Sequence, residues 1–177
     1  MKKFDDKQLY PLLLQDDFSK VKDFLDKYGL DSVDRDGRSF LTNTIAEHKN
    51  IFAKELIALG ADINQQDNKG STPLQMAVRV KNVEMMNELL ENKYIEKNIQ
   101  DTYGKNALGV ALDEYPEDNN LMIVLINSGI DPFAKYKNGG TPYSEIEEFQ
   151  SGEITIGGKK LNIEPVIQAI EIKYGKR

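Results

Sequence analysis

The chain contains no cysteine and one histidine, His48. Without cysteine there is no disulfide framework, no thiolate zinc site and no thiol nucleophile, and a single imidazole builds no multi-histidine metal centre. Also missing is any run of about 18 apolar residues, which argues against a membrane-spanning helix. The opening residues, Met1-Lys2-Lys3-Phe4-Asp5-Asp6-Lys7-Gln8, lack the apolar centre of a secretory signal, so a cytoplasmic location is expected. Positive charge is in deficit: 23 basic against 29 acidic residues leave a formal net charge of -6. That disfavours nucleic acid as a partner, because phosphate binding relies on Lys and Arg displacing counterions. It favours a protein partner with a basic surface. At 40% hydrophobic residues, 177 residues suffice for one sizeable core, so a single domain over 1–177 is expected.

What the chain does have is repetition. The stretch Gly70-Ser71-Thr72-Pro73-Leu74 reads as a helix start, with Thr72 as N-cap and Pro73 at the first helical position. Related stretches begin at Gly37, Gly104 and Gly139, so the four glycines lie 33, 34 and 35 residues apart. Inside the periods the apolar pairs Leu56-Ile57, Leu89-Leu90 and Leu125-Ile126 recur. Turn signals follow at Gly60-Ala61-Asp62 and Gly129-Ile130-Asp131, with 93–98 as a degenerate version. Each period therefore predicts helix, short turn, helix and an Asp/Asn/Gly-rich loop. Two extra residues fall in the inter-helix turn around Tyr115 to Asn120 and one near Lys93 to Lys97.

These residues resemble the ankyrin repeat, whose signature is a period of about 33 with T-P-L-H-x-A. The resemblance implies an all-α solenoid of about five helix pairs: a capping unit at 1–33, repeats at 34–66, 67–100 and 101–135, and a modified capping unit at 136–177. In that last unit, alternation around Gly157-Gly158 predicts a small β-hairpin over 153–161, followed by a closing helix after Pro165 that ends near Gly175. The family's histidine is replaced by Thr42, Gln75, Gly109 and Ser144, so hydroxyl or amide groups are expected to take over its bonding. His48 takes the usual glycine place in the first inter-helix turn.

The resemblance also implies a non-catalytic protein-binding module, with no cofactor and no bound metal, whose concave face is lined by loops and first helices. Carried over position by position, that face comprises Arg35, Asp36 and Arg38, then Asn68 and Lys69, then Thr102, Tyr103 and Lys105 in the loops. From the helices and the turn after the third come Glu47, Arg79, Val80, Asp113, Glu114, Tyr115, Glu117, Asp118 and Glu148. Tyr103, Tyr115, Arg79 and Phe149 are the expected anchors, since aromatic and Arg side chains dominate interface energetics; for Phe149 the alternative is packing against the hairpin. Residues 101–135 hold two basic and six acidic residues, and Asp113, Glu114, Glu117 and Asp118 form a cluster suited to steering a basic partner.

Small ankyrin proteins in Lys-, Asn- and Ile-rich bacterial chains are similar to immunity proteins encoded beside secreted toxins, which implies sequestration of a cognate toxin. One alternative is a general scaffold or regulator bound to a cellular or host factor. A second is a metal-dependent hydrolase built on the carboxylates of 113–118. Neither adjacent acidic pairs such as Asp16-Asp17 nor Gly157-Gly158-Lys159-Lys160 has the spacing of an acid/base or phosphate-binding site.

Overall fold

Each repeat opens where a short polar side chain meets an apolar run, and there the helices begin. The computed structural model describes residues 2–15, 17–152 and 154–175. Among them the helices are α1 (Asp6–Leu14), α2 (Phe18–Tyr28), α3 (Phe40–Ala46), α4 (Asn50–Ala58), α5 (Pro73–Arg79), α6 (Val83–Glu91), α7 (Ala107–Glu114), α8 (Asn119–Asn127), α9 (Pro142–Ser151) and α10 (Glu164–Tyr174). Ser39, Thr72, Asn106 and Thr141 are the N-caps of α3, α5, α7 and α9, each accepting a main-chain N–H of the first turn. Gln75 and Ser144 reciprocate by accepting from the N–H of their own caps, at 2.8 and 2.9 Å. Thr42 instead shares a hydroxyl contact of 3.0 Å with Ser39. Gln75 and Ser144 thus complete the caps of α5 and α9, while Gly109 brings no polar side chain to α7, which Asn106 caps.

The helices fall into two units, Met1–Glu96 and Lys97–Arg177. In the first, α3 packs against α4 and α5, and α6 against α4 and α5. Its core includes Phe40, Leu41, Ile45, Leu56, Leu74, Met85, Met86 and Leu89, all under 2% exposed. Phe4 joins that core through edge contacts to Phe24 and Phe40, held in place by a short main-chain pairing of Phe4 with Val33. In the second unit α7 packs on α8 and α9, and α10 closes over α8. Leu108, Met122, Leu125, Ile146 and Val166 are wholly buried there.

The hairpin expected over 153–161 shrinks to a tight turn. Gly157 and Gly158 both take positive φ, 57° and 74°, and one bridge joins Ile156 to Lys159. Residues 155–160 are all exposed, so alternation there has no core face to cover and nothing extends the pairing into strands. Glu153, the expected start of that hairpin, and Asp16 lie outside the described residues.

Two inter-helix turns hold non-glycine residues in the left-handed region, His48 at φ 55° and Lys81 at φ 53°. A Cβ there costs about 1–2 kcal/mol, part of which glycine returns through its larger unfolded-state entropy. The double variant His48→Gly/Lys81→Gly is expected to gain roughly 1 kcal/mol, raising Tm by about 3 °C in a calorimetric scan. An unchanged or lower Tm would show that these turns are not strained.

Candidate functional site

The loops that precede the first helix of each repeat share one construction. Asp34, Asp67 and Asp101 each use a single carboxylate oxygen to accept main-chain N–H groups two and four residues ahead, at 2.8 to 2.9 Å. The chain then folds back through a glycine with positive φ, at Gly37, Gly70 and Gly104. Neighbouring loops are laced together: Asn68 donates its N–H to the Asp36 carbonyl at 3.0 Å and its side-chain amide to the Arg35 carbonyl at 3.1 Å. In the second unit Lys137 N–H donates to the Tyr103 carbonyl at 2.9 Å.

This lacing places several of the expected contact residues. In the first unit Asp36, Arg38, Asn68 and Lys69 rim a notch of about 110 Å³ together with Asp67. Arg35 and Asp36 are exposed, and Arg38 is half-buried with a guanidinium nitrogen 3.9 Å from Asp36. Glu47 is exposed at the C-terminal end of α3. Arg79 and Val80 are half-buried at the end of α5, where Arg79 donates to the Ser71 hydroxyl at 3.1 Å.

In the second unit Thr102 and Tyr103 stand exposed at the loop tip, Tyr103 at 67%. Glu114, Glu117 and Glu147 are exposed, while Tyr115, Asp118 and Glu148 are half-buried. Phe149 is 6% exposed, so it belongs to the core and not to the anchors. Asp118 caps α8 by accepting from Leu121 N–H at 3.1 Å. Asp113 receives the Lys105 ammonium at 2.5 Å. Among the described residues, those of 113–118 included, no three His, Cys, Asp or Glu side chains are grouped so that they could hold a metal ion.

Lys105 also belongs to a cluster with Glu145 and Tyr136. Its ammonium also lies 3.6 Å from Glu145 and 4.9 Å from the ring of Tyr136. Tyr136, 5% exposed, donates its hydroxyl to Glu145 at 2.9 Å. Burial, then the charge of Glu145, holds the phenol far above its ordinary pKa, so it remains a donor. Burial also raises the Glu145 carboxyl, against the hydrogen bonds and the Lys105 charge that lower it. Tyr136 occupies the place of Asp34, Asp67 and Asp101 in the earlier loops. It folds inward because Gly109 leaves room: a Cβ on Gly109 would lie 2.8 Å from the Tyr136 hydroxyl. Both departures are visible as breaks in the repeat columns, a large residue gained where a small one appears nearby.

A family model described as ankyrin repeats in three copies matches residues 13–101 and 42–136 of the chain. Among curated proteins, Rabankyrin-5 of Mus musculus and Rabankyrin-5 of Homo sapiens are each 35% identical over 61 residues. That stretch is 34% of this chain and 5% of either relative, so the chain spans a small fraction of their length.

Proposed function

The chain belongs to the ankyrin repeat family, a protein-binding architecture, and from that premise we propose that it is a non-catalytic module whose second unit grips a basic surface on a partner protein. The observation that carries this reading is the fate of Lys105. Residues 101–135 supply only Lys105 and Lys135 against six acids, and Lys105 is turned inward onto Asp113 and Glu145 with 18% of its side chain exposed. Glu114 and Glu117 remain at the surface, and α9 contributes Glu147 and Glu148. The 35-residue offset between Gly104 and Gly139 sets Glu148 in the column of Asp113, on the helix that packs against α7. Negative potential of this kind speeds encounter with a basic partner and selects against acidic ones.

Holding a basic cleft closed inhibits by occlusion and needs no chemistry, which suits an immunity protein that sequesters a toxin in the cytoplasm. Tyr103, exposed at the loop tip of the same unit, would supply a further contact. The test avoids the two carboxylates whose loss would disturb the fold. Asp118 caps a helix and Asp113 holds Lys105, so the informative variant is Glu114→Lys/Glu117→Lys/Glu148→Lys. After affinity capture and purification of a partner, calorimetric titration is expected to give at least about tenfold weaker binding for the triple variant, equivalent to 1.4 kcal/mol, with Tm unchanged. Equal affinity would refute the basic-partner reading. Co-expression with the toxin, where the partner is one, should restore growth, and failure to do so would refute the immunity role alone.

A further inference from the structure

Asn138 is the one asparagine of this chain that is followed by glycine. It sits in the fourth loop, where Tyr136 has replaced the aspartate that braces the other three. The bracing there passes to Asn138, whose side-chain oxygen accepts from Gly140 N–H at 3.0 Å. That bond holds the carboxamide over the turn that Asn138 and Gly139 make. Both residues are exposed. Gly139 has φ 90°, and a Cβ built on it would meet nothing within 4 Å; its N–H donates to the Tyr136 carbonyl at 3.1 Å, a bond of this exposed turn that must open before its nitrogen can react.

We propose that Asn138 is a spontaneous modification site, at which the main-chain nitrogen of Gly139 attacks the side-chain carbonyl carbon of Asn138. A bond forms between that nitrogen and Cγ, the bond from Cγ to Nδ2 breaks, and ammonia departs with the proton given up by the Gly139 amide. The cyclic imide left behind takes up one water at either carbonyl, yielding aspartate or isoaspartate. Water is consumed and ammonia released, with no oxidant, reductant or enzyme. Proximity drives the step, since nucleophile and electrophile are adjacent in one loop and glycine offers no side chain to block approach.

The other loops lack this combination. Asp36-Gly37 has the same backbone turn, but a Cβ on Gly37 would lie 2.5 to 2.9 Å from atoms of Asn68, so the neighbouring loop covers it. Asn68 has its side-chain amide bound to the Arg35 carbonyl and is followed by lysine. Asn127 is the last residue of α8 and precedes Ser128, which, unlike glycine, carries a side chain and whose N–H belongs to the helix, bound to the Val124 carbonyl. The product at Asn138 adds a negative charge to the loop. In the isoaspartyl form the main chain runs through the former side chain, which removes the acceptor that braces Gly140.

The intact protein, held at mildly alkaline pH and physiological temperature, tests this by time-resolved peptide mapping with enzymatic methyl labelling of isoaspartate. Acid forms at position 138 are expected to accumulate about tenfold faster than at any other asparagine, a barrier difference of about 1.4 kcal/mol. Asn138→Gln should remove that signal, since the longer side chain would have to close a six-membered imide. Accumulation at Asn68 or Asn127 at an equal or greater rate, or none at Asn138, would overturn the proposal. Neither outcome bears on whether the protein binds a basic partner.

Discussion

Gly104→Ala is expected to destabilise the second unit by about 3 kcal/mol, the sum of a left-handed backbone penalty and an overpacked contact. Gly104 has φ 83°, where any Cβ is strained. A methyl group there would also lie 2.8 Å from Lys137 N and 2.9 Å from Tyr136 Cα. Those are main-chain atoms of the next loop, and Lys137 N is already committed to the Tyr103 carbonyl. Yielding to the methyl group would therefore break the lacing between the loops. Gly139→Ala supplies the control, because its φ is similar while the space around it is empty. It should lose about 1 kcal/mol, from backbone strain alone. Urea unfolding of both variants separates the two contributions, and equal losses would contradict the packing argument.

Asn106→Ala is expected to lose a comparable amount, about 3 kcal/mol, because one fully buried side chain performs two tasks. Its oxygen accepts from the N–H groups of Leu108 and Gly109 at 3.1 and 3.2 Å, capping α7. Its amide donates to the Asp131 carbonyl at 2.8 Å, tying the helix start to the turn after α8. Alanine removes both and leaves orphaned polar groups in a site with 0% exposure. Asn106→Ser keeps a capping oxygen and should recover about 1 kcal/mol, as the hydroxyl caps of Ser39, Thr72 and Thr141 suggest. A loss below about 1 kcal/mol for alanine in urea unfolding would mean that capping alone matters.

Both residues show where sequence is legible and where it is not. The helix starts could be read because capping is local: a polar residue, a proline or small residue and an apolar stripe lie within five positions of one another. Thr72-Pro73 and Thr141-Pro142 produced the helices they predict. The hairpin around Gly157-Gly158 failed because turn chemistry sets only the turn, while strands need a surface to cover, which residues 155–160 lack. Phe149 failed as an anchor because a position in the helix column does not disclose the depth of packing. The acidic cluster was legible as charge and illegible as geometry. Nothing local in Lys105 or Asp113 announces that they pair, and the Tyr136–Glu145 bond joins a loop to the helix that follows it. Gly109 and Tyr136 could have been found as a matched pair by comparing columns across repeats, since each breaks its column in the direction that accommodates the other.

The central claim is that surface carboxylates of the second unit attract a basic partner. It is tested most directly by the ionic-strength dependence of association, because screening weakens exposed charge pairs beyond about 8–10 Å at physiological salt and leaves apolar contacts largely intact. Stopped-flow measurement with the captured partner should show an association rate that falls steeply with added salt for the wild type and hardly at all for Glu114→Lys/Glu117→Lys/Glu148→Lys. Rates that are insensitive to salt in the wild type, or equal for the two proteins at low salt, would contradict it.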